Sequence, residues 1–402
     1  MNSREKSRIA CQRIPFRPND EASLKPSNPS QAYTSKGCVP SIPIRLTGDT
    51  TNPTSPIPTP PTIRQKPTLL PSPYPFPASP MSTPSQTHTA LLTASHILHY
   101  NSIVDAYGHI SVRNPQNPSN TFFLSRSLAP ALVSSREDIL EYRVEDGSPI
   151  QDARAQAGTH AVKHFAERWI HSEIYKLYPE VKSVVHCHSE AVIPYGIGSV
   201  PLRPVFHMAA TMGPQVPVFD IAQHYPSSPS PLHSLLVTNT HLGAALAAGF
   251  NPTPSVLSKS VTALKNYLTS STPSAVPFPP CPTVLMRGHG MTCVGRSIEE
   301  VVYRAIFTCV NARVQTTALL MQGGYNLGYV AQRFGERGGG KEGGNPGPAR
   351  QEGVKFLSER ECRDSWTEME DKTGRAWELW CKEVEEVGLY RNEVRDGLRV
   401  EG

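Results

Sequence analysis

Several things are scarce in this 402-residue sequence, and each scarcity excludes a class of protein. No run of about 18 apolar residues occurs, so no transmembrane helix and no membrane partner are expected. The eight cysteines are dispersed, with no CxxC pair and no dense framework, which argues against a disulfide scaffold and for a reducing setting. Charged residues make up only 18% and the net charge is +5, without the dense basic stripe of a nucleic-acid binder, so no nucleic-acid partner is expected. The stretch from Met1 to Phe16 lacks the apolar core of a secretory signal. Arg4, Lys6, Arg8 and Arg13 have the flavour of a transit peptide, but Glu5 and the nearby prolines count against it, and the expected location is the cytoplasm. No internal repeat is visible.

What the sequence has in excess is proline, 40 residues, many of them crowded near the start. Residues 1–84 are Pro/Ser/Thr-rich without helical or strand period. They cannot bury enough apolar surface to offset their ordering entropy, so this segment is expected to be disordered. Order is expected from about residue 85. Ala90, Leu91, Ala94, Ile97 and Leu98 recur at helical spacing. Ile110 with Val112 and then Phe122–Leu124 read as a hairpin, followed by a strand near Ile139–Tyr142. A helix is predicted over Ala161–Tyr178, ended by Pro179, and a strand over Val181–His186. Further strands are predicted at Val216–Asp220, demoted to an edge by Pro217, at Leu235–Val237 and at Thr283–Met286. Helices are predicted at Leu242–Ala248, at Ile298–Met321 behind a Ser297 cap with Glu300, and at Trp366–Val387 with Trp377 and Trp380 on one side. Alternating helices and strands without strict βαβ order imply one α/β domain with a sheet covered by helices. Its expected span is 85–325, with an insertion at 250–282, then a Gly-rich mobile loop at 326–356 and a helical extension at 357–402.

The local chemistry centres on Val184-Val185-His186-Cys187-His188-Ser189. Residues i and i+2 of a strand share a face, so His186 and His188 can hold one ion while Cys187 turns into the core. Gly288-His289-Gly290, on a turn after a predicted buried strand, offers a third imidazole. Three histidines leave a coordination position open, as catalytic metal sites do. Either motif alone is also compatible with ordinary surface or core histidines. Glu167 and His171 stand four apart on the predicted helix and so share a face. A carboxylate there can move protons, although an exposed glutamate on an amphipathic helix is the simpler reading of those residues alone.

Taken together, the run Glu167–Ser189 (ERWIHSEIYKLYPEVKSVVHCHS) resembles the signature of the class II aldolase/adducin head family. That family's pattern is a Glu, a His four on, a Tyr, a Pro, and a strand ending in His-x-His. Arg287-Gly288-His289-Gly290 with Val294-Gly295-Arg296-Ser297, and Ala106–Arg113 with Leu124–Pro130, match two further family motifs, so the resemblance covers about residues 87–323. It implies a three-layer α/β/α arrangement with a mixed sheet, and a divalent metal on His186, His188 and His289, with zinc first and manganese, iron or magnesium as alternatives. It makes Glu167 the acid/base, and it implies a homotetramer whose active sites lie at subunit interfaces. Phosphate-handling members carry Thr-Gly where this chain has Ser127-Leu128. Leucine cannot give the same close backbone approach at positive φ, so a phosphorylated sugar is disfavoured as substrate.

Within the family the chain looks closest to decarboxylase-like members acting on hydroxylated aromatic acids or ring-cleavage products. Gly108, His109, Ser125, Arg126, Ser127, Arg203, His207 and Arg287 are the expected small-molecule substrate contacts. The arginine forks suit a carboxylate, with structural salt bridges as their other reading. The implied activity is carbon–carbon lyase chemistry through a metal-stabilised enolate or phenolate, with Glu167 shuttling the proton. Alternatives are an aldolase or epimerase on a non-phosphorylated hydroxy-carbonyl compound, iron-dependent oxygen chemistry, and a non-catalytic, adducin-like interaction module.

Overall fold

A helix with Thr83 as its cap is the first described element in a computed structural model that describes residues 83–150, 163–227, 232–252, 276–336 and 353–400. The Pro-rich segment up to residue 82, the centre of the predicted insertion and most of the Gly-rich stretch lie outside the described residues. Helix α1 (Pro84–Tyr100) has proline in its first turn, where the missing N–H costs nothing, and the Thr83 side chain accepts from Gln86 N at 3.3 Å.

Among the described residues seven strands follow: β1 (His109–Arg113), β2 (Thr121–Ser125), β3 (Ile139–Arg143), β4 (Ser183–Cys187), β5 (Val218–Phe219), β6 (Thr283–Met286) and β7 (Gly290–Gly295). They form one sheet in the order β3-β2-β1-β4-β7-β6-β5. Every pairing is antiparallel except β5 with β6, which makes the sheet mixed. The expectation for Pro217 holds, since β5 is a two-residue edge strand.

Alternate residues feed two cores. Ile110, Val112, Val185, Cys187 and Cys293 face one core with α1 and the long helix α5 (Ile298–Glu336). Phe122, Leu124, Val184, Val284 and Val294 face the other with α2 (Arg168–Leu177) and α4 (Thr240–Gly249). Gly243 makes the close α2–α4 packing possible, because a Cβ there would lie 2.5 Å from the Trp169 carbonyl oxygen. A short α3 (Ile193–Ile197) lies between β4 and β5. The result is the predicted α/β/α layering. No described helix is long and apolar enough to cross a membrane.

Several expectations need correction, and one strand went unpredicted. The helix predicted from Ala161 begins at Arg168, and Glu167 is its cap residue rather than part of its face. Leu235–Val237 is not a strand: Leu235 N donates to Tyr225 Oη at 2.9 Å and Val237 N to Glu167 Oε1 at 2.9 Å, so the N–H groups a ladder would use go to side chains. Strand β7 was hidden by its glycine ends, which blur any period. The single C-terminal helix is two, α6 (Glu359–Met369) and α7 (Thr373–Glu385), broken by a 3-10 turn at Glu370–Lys372, and α8 (Glu393–Val400) follows. Ser358 and Glu361 start α6 with a reciprocal capping box. Trp377 and Trp380 are buried as expected, while α5 runs well past Met321.

Candidate metal centre

Adjacent strands bring the predicted residues together. His186 lies on central strand β4, fully buried, and His188 sits just past the strand's end. His289 rides the turn from β6 to β7, flanked by Gly288 at φ 65° and Gly290 at φ 155°. A side chain at 290 would collide with the Cys187 carbonyl oxygen, so glycine is what lets this turn close onto β4. Glu167 enters from the cap of α2. One donor atom from each of these four residues lies within 4.8 Å of the others.

The ring nitrogens converge. His188 Nε2 is 3.1 Å from both His186 Nε2 and His289 Nε2. Glu167 Oε2 is 3.6 Å from His186 Nε2 and 3.5 Å from His289 Nε2. The outer nitrogens are anchored elsewhere: His186 Nδ1 lies 3.2 Å from Thr292 Oγ1, and His188 Nδ1 lies 3.2 Å from each Asp105 oxygen. Holding Nδ1 from behind fixes which nitrogen is presented to an ion. His289 Nδ1 is buried without a partner among the described residues. Three imidazoles and a carboxylate facing one point are the donor set of a first-row divalent ion, and the residues fit one.

Electrostatics agree with ligation. Burial holds the His186 pKa well below its ordinary value, so the ring is neutral, as a ligand must be. Burial alone would raise Glu167, but its hydrogen bonds with His289 and the Val237 N–H and its electrostatic interaction with the facing imidazoles outweigh this and bring it down to about 2. Burial likewise opposes ionisation of Asp105, yet the Tyr107 and Gly108 N–H groups and His188 hold its pKa below normal.

The expected substrate contacts divide. Gly108 and His109 lie against the centre: a Cβ at 108 would be 3.1 Å from the His186 carbonyl oxygen, and the His109 and His186 rings are 5.2 Å apart. Arg287 precedes the His289 turn but is bonded to Asp220 at 2.5 Å, and Arg126 is bonded to Asp138 at 2.7 Å. Both thus have the salt bridge that was their other reading. Arg203 stacks over Phe356 at 4.5 Å. Ser125 is buried at the end of β2, Ser127 N donates to Lys163 O at 2.8 Å, and His207 is exposed beside Phe206. Tyr390, from the C-terminal segment, is buried beside α1, its hydroxyl 2.9 Å from His99 Nδ1.

Sequence reasoning missed Asp105, Thr292 and the Val237 N–H. Asp105 had a signal, an Asp two and three residues before Tyr107-Gly108, and it does accept both backbone N–H groups at 2.9 Å. Thr292 had none until the β4–β7 register set it opposite His186.

Comparison with known proteins now adds identity to geometry. The family model for the class II aldolase and adducin N-terminal domain matches residues 89–316. Decarboxylase tropJ from Talaromyces stipitatus is 42% identical over 313 residues, covering 78% of this chain and 98% of that protein. A 3,4-dihydroxyphthalate decarboxylase from Arthrobacter keyseri is 25% identical over 221 residues, 54% of this chain and 72% of that one. Among solved structures, an aldolase II superfamily protein from Pseudomonas syringae shares the fold with a TM-score of 0.50 at 15% identity, covering 77% of this chain and 96% of that chain. With more than half of its length matched by the family model, the chain belongs to the class II aldolase and adducin N-terminal domain family.

Proposed function

We propose that the chain is a divalent-metal-dependent carbon–carbon lyase, a decarboxylase of a hydroxylated aromatic or ring-cleavage-derived carboxylic acid. The observation that carries this reading is the convergence of Glu167, His186, His188 and His289 within 4.8 Å, in a chain so similar along its length to a decarboxylase. A divalent ion bound there would supply Lewis acidity to the substrate oxygen beside the breaking bond.

The chain's own residues do the rest. Glu167 Oε1 is tied to Val237 N, leaving Oε2 on the side of the histidines. Ionised when the substrate arrives, Glu167 takes the proton of the ring hydroxyl at Oε2. Glu167 passes that proton to the ring carbon that carries the carboxylate, giving the ring-keto form. The C–C bond to the carboxylate then breaks, CO2 departs and the electron pair flows back to the ring oxygen, whose phenolate regains a proton from water as product leaves. Gly108, His109 and Arg287 are kept as substrate contacts on their closeness to the centre. Ser125, Arg126, Ser127, Arg203 and His207 are kept on their motifs alone.

Zinc as the ion, a homotetramer and a cytoplasmic setting belong to the same proposal. Elemental analysis, light scattering and microscopy of the tagged chain test them in turn. The primary test is the metal content of the parent and of His186→Ala, with 3,4-dihydroxyphthalate and related hydroxy acids as substrates. About one ion per chain, lost in the variant together with CO2 release, supports the reading. No ion in the parent after reconstitution sinks it and favours the adducin-like interaction module.

A further inference from the structure

Behind His186 runs a line of buried polar side chains of which the mechanism above uses only the last, His109, as a substrate contact. Strand β1 pairs with β4 so that His109 stands opposite His186, and the same strand face carries Ser111. Helix α2 lays His171 and Tyr175, one turn apart, over that face. The contacts are short and continuous: Tyr175 Oη to Ser111 Oγ at 2.7 Å, Ser111 Oγ to His171 Nδ1 at 2.6 Å, and His171 Nε2 to His109 Nδ1 at 2.8 Å. Tyr175, Ser111, His171 and His109 are at most 3% exposed, so water does not compete along the line.

The protons on this line can be counted. Each hydroxyl has one to donate, and each neutral imidazole has one N–H. Once the first donor is chosen, every later bond is forced. If Tyr175 donates to Ser111, then Ser111 donates to His171 Nδ1 and His171 Nε2–H donates to His109 Nδ1. The His109 proton is then on Nε2. In the reverse direction His109 carries its proton on Nδ1, and Tyr175 must donate to the Lys182 carbonyl at 3.5 Å, the limit of a hydrogen bond. The first direction gives up only that long contact and keeps all the short ones.

We propose that Tyr175, Ser111 and His171 are positioning residues that lock His109 as the Nε2–H tautomer, making it a hydrogen-bond donor to substrate beside the metal centre. The occupant that such a donor suits is an oxyanion, the carboxylate or ring oxygen of an aromatic hydroxy acid. This donor role rests on the decarboxylase reading; the tautomer does not. A neutral donor placed there by a buried chain needs no reorganisation when negative charge develops on the substrate.

The test has two independent readouts on the zinc-loaded protein. The first is the 15N–1H correlation pattern of the His109 ring in histidine-labelled parent and Ser111→Ala, which tells the two tautomers apart. The parent should show the Nε2–H form alone, and Ser111→Ala, which leaves His171 Nδ1 without its donor, should show both. A parent with the proton on Nδ1 overturns the proposal without any variant having to fold. The second readout is kcat/KM with metal content. His109→Phe should lose about tenfold to hundredfold with zinc unchanged, the loss expected for a hydrogen bond to a charged group. His109→Gln, whose amide N–H stands near the Nε2 position, should recover most of it. Parent-like kcat/KM in His109→Phe overturns the donor role. An Nε2–H parent that releases CO2 from no hydroxy acid upholds the lock and sinks the decarboxylase reading instead.

Discussion

Replacing Asp105 with asparagine isolates what a charge behind a proposed metal ligand is worth. Both Asp105 oxygens lie 3.2 Å from His188 Nδ1, and Oδ1 also accepts from Tyr107 N and Gly108 N at 2.9 Å. Asparagine keeps the Oδ1 acceptor, so the turn into β1 and the fold should survive. The side chain is 49% exposed, which limits its direct contribution to stability to that of a surface pair, about 0–1 kcal/mol. What is lost is the negative charge that orients His188 and strengthens it as a donor. Partners of this kind alter metal affinity by about 10–100-fold, on the order of 1.4–2.8 kcal/mol. The assay is competition for zinc between the apoprotein and a chromophoric chelator, alongside thermal melts of both apoproteins. The zinc Kd should rise by that factor while the apo Tm stays within a few degrees. An unchanged Kd would show that Asp105 serves only the turn, and the argument for His188 would fail.

Glu167→Gln keeps a side chain that can still accept from Val237 N but cannot carry the proton. Turnover should fall by about 10²–10⁴ with the metal retained, and near-normal turnover in the loaded variant refutes the proton role. Gly290→Ala should cost more than about 3 kcal/mol, because its Cβ meets the Cys187 carbonyl, whereas Gly288→Ala, which meets only Leu235 Cδ1 at 3.4 Å, should cost about 1 kcal/mol for its positive φ; equal melts for the two would contradict this. Burial lowers His96 from 6.5 to about 4 and His171 to about 3. Between those values and 6.5 the unfolded chain binds the extra protons, so their contribution is complete above pH 6.5 and is lost as the pH falls, on the order of 3 kcal/mol for His96 by pH 4. Urea midpoints of the apoprotein should hold from pH 8 to 7 and drop between 6.5 and 5, above the ordinary carboxylate range; a flat profile there would be the wrong answer for buried neutral histidines.

The parts of this centre that could be read from the sequence are those whose chemistry is local. His186-Cys187-His188 announces itself because a strand's two-residue period puts both imidazoles on one face and the thiol on the other, and Cys187 does lie in the opposite core. Gly288 and Gly290 announce a turn that favours glycine at both positions and requires it at 290. The layers were legible for the same reason, since apolar periods report which face is covered. What could not be read depends on partners distant in sequence: Thr292 reaches His186 only through the β4–β7 register, and Val237 N reaches Glu167 across 70 residues.

The misplaced start of α2 shows how such a partner overrides a local pattern. Extending the helix back to Ala161 would put Glu167 in a helical turn, on the same stripe as His171. In the structure those two residues serve different groups: His171 faces His109, whereas Glu167 leaves the helix axis as a cap residue and turns to His186 and His289. A carboxylate at a helix N-terminus is favoured by the helix dipole, but Glu167 makes no side-chain bond to its own helix. Its oxygens go to the Val237 N–H and to the histidines instead, at the cost of burial. A residue that gives up the local bond its position offers, and is held ionised in a buried place by groups from β4, the β6–β7 turn and the 232–238 segment, is one whose position the rest of the fold was built to specify. That is the physical ground on which we propose Glu167, rather than the better-exposed carboxylate of Asp105, as the proton carrier.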